Sequence, residues 1–246
     1  RVMISFAKSR MNQFTYREWI GWFAHNNDQR LAIDFSKEKG LSEEEAKLIF
    51  PSIREFQKGE GSDGKYLLQA VDQFACRTGM EEYREAMEWF VKEENWHSAY
   101  LRKFMDYYRV EVKDRSFLDQ IFRKLRKAGG IKGEVTVLVT AEMIALTYYD
   151  ALAKSTDSPA LKSICEQMLH DEIPHIMFQS YTLSFFENSM KDKLLRILLM
   201  EGTLLFVWGA FRKVYLSGGY GFCRFFKENL GYLHQSVYLA RSRRQN

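Results

Sequence analysis

The sequence predicts an all-α protein whose centre is a four-helix bundle with accessory helices on both sides. The 246 residues include only 3 prolines and 15 glycines, so few positions favour a break in a helix. Apolar residues recur at the helical spacing along most of the chain, and the alternation of apolar and polar residues typical of strands is absent. With 46% hydrophobic residues, the chain can bury one good-sized core.

Short helices are expected before the bundle. Residues 15–26 form an aromatic, amphipathic segment, and residues 29–39 form a second helical segment that ends before a glycine. Ser42 is placed to cap a third helix over residues 43–50, and Glu45 supplies the acid at the third position of a capping box.

The four bundle helices follow, within a core predicted at residues 52–187. Pro51 opens the first of them, since its missing N–H is not needed in a first turn. We expect the four helices at residues 52–77, 80–112, 134–155 and 157–187. A basic, amphipathic connector at residues 116–127 joins the second helix to the third.

Two more helices are expected after the bundle. A strongly apolar helix is predicted at residues 191–216, and an aromatic helix follows the glycine-rich break at residues 218–221. We expect residues 1–246 to form a single domain, with accessory helices at residues 12–50 and 190–240.

Composition and charge limit the classes of partner and location. The net charge is +4, from 36 basic and 32 acidic residues, and this small excess does not favour nucleic acid, which generally requires a concentrated basic stripe. Three widely spaced cysteines form no Cys-x-x-Cys pair, which favours a reducing, cytoplasmic location. The longest apolar run, residues 197–211, is shorter than the ~20 residues that span a bilayer. We therefore expect a buried helix there and no membrane span.

Two Glu-x-x-His motifs carry the chemistry of the chain. They are Glu94 to His97 in the second bundle helix and Glu172 to His175 in the fourth. Residues three apart lie on one face of a helix, so a Glu and a His at this spacing can bind one metal ion. Both motifs interrupt apolar stripes, and a carboxylate on a buried face is costly unless it is paired or bound to a metal.

The first and third bundle helices each add one glutamate on an apolar stripe. Glu60 precedes Glu94 by 34 residues, and Glu142 precedes Glu172 by 30 residues. An antiparallel helical hairpin with ligands at matching height needs about this much chain, roughly fifteen residues per arm plus a turn.

These residues offer four carboxylates and two imidazoles, which are enough ligands for two divalent ions. The donor set suits iron or manganese, and the lack of paired cysteines argues against an iron–sulfur cluster or a structural zinc site. The predicted metal ligands are Glu60, Glu94, His97, Glu142, Glu172 and His175. Two Fe ions are expected, with a mixed Mn/Fe pair or two Mn ions as alternatives.

The order of these six residues resembles the ferritin-like di-metal carboxylate proteins. This superfamily includes rubrerythrin, the ribonucleotide reductase small subunit, bacterial multicomponent monooxygenases, the tRNA hydroxylase family and ferritin. Its pattern is one Glu, then Glu-x-x-His, one Glu and again Glu-x-x-His on successive bundle helices, and here it covers about residues 52–187. The resemblance implies a ferritin-like four-helix bundle around two metal ions.

The resemblance also implies roles for the acids that precede the ligand glutamates. In many members of the family, an acid at this position accepts a hydrogen bond from the His of the opposite motif. The matching residues here are Glu93 and Asp171. On this basis Asp171 is expected to pair with His97, and Glu93 with His175.

Several residues beside the motifs leave alternatives open. Pro174 lies inside the second motif and is expected to kink its helix, while the glycines within residues 59–64 weaken the first bundle helix beside its ligand. Tyr149 is either a redox tyrosine near the metals or a core residue. Glu201 either lines the site or pairs with a buried arginine such as Arg196.

The predicted function is an O2-activating oxidase or monooxygenase that acts on an organic substrate. About 50 residues precede the bundle and about 60 follow it, more than a storage ferritin needs, and the apolar helix at residues 191–216 is suited to wall a tunnel for an apolar or aromatic small molecule. A reductase or ferredoxin that donates electrons is an expected partner, and a homodimer is left open. The alternatives are iron oxidation and storage, peroxide reduction, hydroxylation of modified tRNA, and a non-enzymatic bundle.

Overall fold

The computed structural model describes residues 5–61, 64–114, 130–186 and 189–242. Over these ranges the chain forms eight α-helices, two short 3-10 helices and no β-strand, which confirms the all-α prediction. The α-helices are α1 (Tyr16–Asn27), α2 (Glu43–Glu60), α3 (Lys65–Thr78), α4 (Glu81–Tyr107), α5 (Gly130–Lys154), α6 (Pro159–Leu183), α7 (Met190–Ser217) and α8 (Phe222–Ser242). The predicted connector at residues 116–127 lies outside the described residues.

Side-chain caps confirm two of the predicted helix starts. The backbone N–H and the hydroxyl of Thr15 both donate to Glu18 Oε2, at 2.6 and 2.9 Å, and this closes the first turn of α1. Ser158 Oγ accepts from the Leu161 N–H at 3.0 Å, and Pro159 occupies the first turn of α6, where its missing N–H leaves no bond unmade.

The chain folds into two compact units. The first contains Arg1–Asn12, Glu38–Ile49 and Val135–Asn246, with most of α5 and all of α6, α7 and α8. The second contains Gln13–Lys37 and Phe50–Glu134, with α1, α3 and α4. The expectation of a single domain stays a prediction.

Aromatic residues fill the core of the first unit where α5, α7 and α8 meet. Tyr215 contacts Tyr148 and Phe225, with ring centroids 6.5 and 4.5 Å apart, and none of the three is exposed. Asn229 Nδ2 donates to Thr147 Oγ1 at 3.0 Å, so a buried hydrogen bond also joins α8 to α5. Large buried rings in edge and tilted contacts contribute much of the stability of such a core.

In the second unit, α1 and α3 pack on α4 through aromatic side chains. Tyr83 of α4 contacts Tyr16 at 5.1 Å and Phe74 at 5.9 Å between ring centroids. Two turns further along α4, Phe90 contacts Phe23 at 6.3 Å between ring centroids. The aromatic face predicted for residues 15–26 is therefore the face that α1 buries.

The predicted helix at residues 29–39 is wrong, because this segment is irregular between α1 and α2. Asp34 Oδ1 accepts from the Ser36 N–H at 2.8 Å, a local turn that competes with helical hydrogen bonds. Hydrogen bonding from the Ser36 side chain, together with this backbone bond, holds the pKa of the Asp34 carboxyl below its usual value. Gly40 adopts φ +85°, which ends the segment in a conformation that suits glycine.

The predicted helix at residues 52–77 is also wrong, since it is two helices with different bounds. Pro51 does not open a helix but lies inside α2. Ile49 and Ile53 on either side of it are fully buried, and this burial offsets the backbone hydrogen bond that proline removes. Ser42 Oγ accepts from the Glu45 N–H at 3.1 Å as predicted.

Helix α7 has one buried and one exposed side. It is 28 residues long. Only 33% of its most apolar stretch is buried. Among the described residues, α7 and α5 are long and apolar enough to cross a membrane, judged by length and composition alone. The core helix of a soluble protein can also meet this criterion, and the apolar stretch of α5 is 89% buried. The prediction of a buried helix at residues 197–211 is therefore wrong for one face of α7.

Candidate metal centre

Glu172 and His175 lie side by side on α6, and Glu142 of α5 lies against them. His175 Nδ1 is 3.5 Å from Glu172 Oε2 and 3.6 Å from Glu142 Oε2. The side chains of Glu172 and His175 are fully buried, and that of Glu142 is 4% exposed. Two predicted carboxylate ligands therefore converge on the Nδ1 atom of a third predicted ligand, His175, inside the first unit.

The other motif has the same internal geometry on α4. His97 Nδ1 is 3.5 Å from Glu94 Oε1. The His97 side chain is fully buried, and the Glu94 side chain is 14% exposed. The two residues face the same way because three residues make slightly less than one helical turn.

Glu94, His97, Glu172 and His175 form a single group, called here the Glu/His cluster. One ligand atom from each residue lies within 4.8 Å of the ligand atoms of the other three. Three of the four residues are buried and Glu94 is partly exposed. The two Glu-x-x-His motifs thus form an arrangement that could bind a metal ion.

The distances inside each motif match two ligands of one ion better than a hydrogen bond. The 3.5 Å between His Nδ1 and Glu oxygen in each motif exceeds the usual limit of about 3.2 Å for an N–H···O bond. Two ligand atoms that each lie about 2.1 Å from a common ion are about 3–4 Å apart. A small adjustment of rotamers is therefore sufficient for each motif to hold an ion.

The donor set fits iron or manganese. The cluster provides two imidazoles and two carboxylates, and Glu142 adds a third carboxylate beside His175. Imidazole binds iron and other transition metals, and carboxylate suits manganese and iron, while thiolate ligands favour zinc and iron–sulfur clusters. Cys165, the one buried cysteine, has its pKa raised by burial, which disfavours the thiolate form that binds metals.

Glu60 is the last residue of α2 and is half-buried. The segment around Glu60 packs on α4. Gln57 Nε2 donates to Ser98 Oγ at 3.0 Å, and Ser98 Oγ donates to the backbone carbonyl of Gln57 at 2.9 Å. Ser98 directly follows His97, so the end of α2 reaches α4 at the level of the motif. The role of Glu60 as a ligand stays a prediction.

The glycines after Glu60 permit a close approach to α4. A Cβ on Gly61 would lie 2.5 Å from Ser98 Oγ, and a Cβ on Gly64 would lie 2.5 Å from Val91 Cγ1. Contacts this short are not sustained by real side chains, so the chain can pass α4 at this distance only where it has glycine. A stretch that looks like a weak helix in the sequence is a site of tight packing beside the α4 motif.

The acids that precede the ligand glutamates are buried and hydrogen-bonded. Asn26 Nδ2 donates to Glu93 Oε1. Gln167 Nε2 donates to both oxygens of Asp171, at 3.0 and 2.9 Å, and His170 Nδ1 lies 2.8 Å from Asp171 Oδ1. The pairings of these two acids with the motif histidines stay predictions.

Sequence reasoning missed the amides that hold these acids. Gln167 precedes Asp171 by four residues, a spacing that places both on one helix face, so a signal was present. Asn26 is 67 residues from Glu93, and nothing in the sequence pattern indicates that contact. Such amides fix the orientation of an acid that in turn can orient a metal-binding histidine.

Pro174 and Tyr149 are the two residues beside the motifs whose surroundings the structure describes. Helix α6 continues through Pro174, although proline supplies no N–H to the carbonyl of His170. Tyr149 is fully buried, and its ring centroid is 5.1 Å from that of Tyr148. A redox role for Tyr149 stays a prediction.

Glu201 does not pair with Arg196 in the part of the chain that the structure describes, so that alternative is wrong, while a role for Glu201 in lining the site stays a prediction. Glu201 is exposed on α7. Arg196 is buried and donates from Nη2 to Ser236 Oγ at 2.7 Å. Burial lowers the pKa of Arg196 to about 10. The two residues are five positions apart and therefore project from different sides of the helix.

Comparison with protein-family models, with curated proteins and with solved structures finds no match. The Glu/His cluster is therefore the feature of this chain that bears on its function.

Proposed function

We propose that this protein is a di-metal carboxylate enzyme, an oxidase or monooxygenase that activates O2 and acts on an organic substrate. The observation that supports the proposal is the Glu/His cluster, in which two helix motifs supply four ligand atoms within 4.8 Å of one another. Glu142 is the fifth proposed ligand and Glu60 the sixth. In this proposal the two motifs lie in a ferritin-like four-helix bundle.

Burial of the cluster favours a metal over an accidental group of charges. His97, Glu172 and His175 are fully buried. Placing several ionisable groups in a low-dielectric interior is costly unless paired charges or a metal compensates. Divalent ions bound by carboxylates and imidazoles provide that compensation and keep the histidines neutral.

Two reduced iron ions bound at such a site would supply the electrons and the coordination positions that reaction with O2 requires. The glutamates and histidines of the cluster would hold the ions, and the glutamates would balance their positive charge. The buried surroundings of α5 and α6 exclude water. Asp171 and Glu93 each accept a hydrogen bond from an amide, which supports their proposed role in orienting the motif histidines.

The proposed substrate is an apolar or aromatic small molecule, with electrons from a reductase or ferredoxin in the cytoplasm. Iron oxidation and storage is the second candidate, because it uses the same ligand set. The two candidates differ in what happens to the iron. An enzyme holds a fixed number of ions and turns over with a reductant and a substrate, while a storage protein accumulates iron.

Metal titration tests the site directly. Anaerobic addition of Fe(II), followed by removal of unbound iron and elemental analysis, is expected to give about two ions per chain. Glu94→Ala and His175→Ala are expected to lose most of this iron, while His234→Ala, which removes an exposed histidine of α8, keeps it. Less than about half an ion per chain in the unaltered protein, with no decrease in either cluster variant, would contradict the proposal.

Addition of O2 then separates the two candidates. O2 uptake that ends once the bound iron is oxidised, and that resumes when a chemical reductant is added, supports an oxidase or monooxygenase. Continued uptake with each new addition of Fe(II), and iron content rising far above two per chain, supports storage instead.

A further inference from the structure

The outward side of α7 is an apolar surface, called here the leucine face. Five leucines of this helix are more than half exposed: Leu194, Leu195, Leu198, Leu205 and Leu216. The buried residues of α7, among them Met200, Leu204 and Val207, lie on the opposite side. Exposed charged residues, among them Arg212 and Lys213, flank this face, but five exposed leucines along one helix face have the composition of an interface.

Two glycines lie among these leucines on the same face. Gly202 and Gly209 are exposed in the interior of the helix, and a Cβ on either would meet no heavy atom within 4 Å. Glycine is less favourable than alanine inside a helix, and packing among the described residues gives no reason for it here. Close approach of a second backbone is a reason for glycine at such positions.

The leucines and glycines are self-complementary. Leu198 and Leu205 are seven residues apart, as are Gly202 and Gly209, so they form two adjacent rows along one helix face. For two copies of α7 packed antiparallel, the register that sets Leu205 over Gly202 of the second copy also sets Leu198 over Gly209. One register therefore places a large side chain over a glycine four times across a two-fold axis.

The size of the face also fits a second copy. Five half-exposed leucines present on the order of 500 Å², comparable to the largest apolar patch on a typical monomer. Two such faces bury on the order of 1,000 Å², near the lower end of specific interfaces.

We propose that the chain forms an antiparallel homodimer through the leucine face of α7, with a two-fold axis between residues 203 and 204. This inference is independent of the metal centre, since all its residues lie on one helix and none belongs to the Glu/His cluster.

The oligomeric state of the full chain is the first test. Light scattering behind size exclusion, without detergent, is expected to give twice the chain mass of 29.1 kDa. Leu198→Glu and Leu205→Glu each place two charges near the axis and are expected to weaken dimerisation by at least about tenfold. The matched control is Tyr66→Glu, which changes a residue of α3 that is 56% exposed and leaves the mass unchanged.

Cross-linking tests the register without charges in the interface. In a background with Cys76→Ser and Cys223→Ser, the pair Leu198→Cys and Gly209→Cys is expected to form a disulfide-linked dimer on mild oxidation. The pair Leu198→Cys and Leu216→Cys is the control, because its sulfurs are separated by about 10 Å along the axes in this register and cannot reach each other.

Three results would overturn the proposal. One is a monomer at tens of micromolar chain concentration, and another is a dimer that both glutamate variants leave intact with no disulfide at positions 198 and 209. The third is flotation of the unaltered chain with phosphatidylcholine vesicles that Leu198→Glu abolishes, which would assign the leucine face to a lipid surface.

Discussion

Replacement of Glu172 by Gln is expected to change stability with opposite signs in the metal-free and the metal-loaded protein. The substitution keeps the size of a fully buried side chain and removes its charge. Glu142 and Glu172 each have an oxygen within 3.6 Å of His175 Nδ1, so these oxygens are no more than about 7 Å apart. At an effective dielectric constant of about 20, like charges at that distance repel by about 2 kcal/mol.

Without metal, Glu172→Gln is therefore expected to raise the free energy of unfolding by about 1–2 kcal/mol. With metal at about 100 times its dissociation constant, the unaltered protein gains about 2.7 kcal/mol, while the variant lacks a ligand and gains little. The measurement is urea unfolding followed by far-UV circular dichroism, under anaerobic conditions, with EDTA and then with excess Fe(II) or Mn(II). Glu201→Gln removes an exposed acid and is the control, with changes below about 0.5 kcal/mol.

A structural ion pair between Glu172 and His175 would give a different result. Removing one partner of a buried ion pair costs about 3–5 kcal/mol whether or not metal is added. A loss of that size in EDTA, together with the same stability in the presence of metal, would refute the interpretation of these residues as metal ligands.

Three further predictions concern packing, a thiol and a helix cap. Gly64→Ala is expected to destabilise the protein by about 1–3 kcal/mol, since the added Cβ would lie 2.5 Å from the stiff Val91 side chain; Gly59→Ala has open space and is expected to stabilise by up to about 1 kcal/mol in the same urea assay. A thiol reagent at pH 8 is expected to modify the native protein at its two exposed cysteines but not at Cys165, which is buried with a raised pKa, and full reaction of Cys165 without denaturant would contradict its burial. Thr15→Ala is expected to lower the free energy of unfolding by about 1 kcal/mol through loss of the cap of α1, and no change would show that the capping hydrogen bonds contribute nothing.

Local patterns in the sequence predicted most of the helices correctly. The starts of α1 and α6 follow from residues within one turn. The Thr15 hydroxyl donates to the Glu18 carboxylate, and Ser158 Oγ accepts from the Leu161 N–H, each three residues ahead. The internal geometry of each Glu-x-x-His motif is equally local, because the helix itself sets the spacing of residues three apart. The resemblance to di-metal carboxylate proteins also predicts that the two motifs lie close together.

The two wrong helix predictions have causes of different range. The segment at residues 29–39 contains a short-range signal, the Asp34 side chain that bonds two residues ahead, which the helical periodicity concealed. The break after Glu60 has a long-range cause. Gly61 and Gly64 face Ser98 and Val91, and no local pattern distinguishes a glycine that weakens a helix from one that admits a neighbouring helix.

The sequence by itself determined that this protein is helical and that two buried faces carry paired Glu and His residues. Only the tertiary structure decided which side of α7 is covered, where Glu201 points, and which amides hold Glu93 and Asp171. The physical reason is range: hydrogen bonds and periodicity within a helix act over three or four residues, whereas burial and side-chain contacts depend on how closely segments far apart in the chain approach one another.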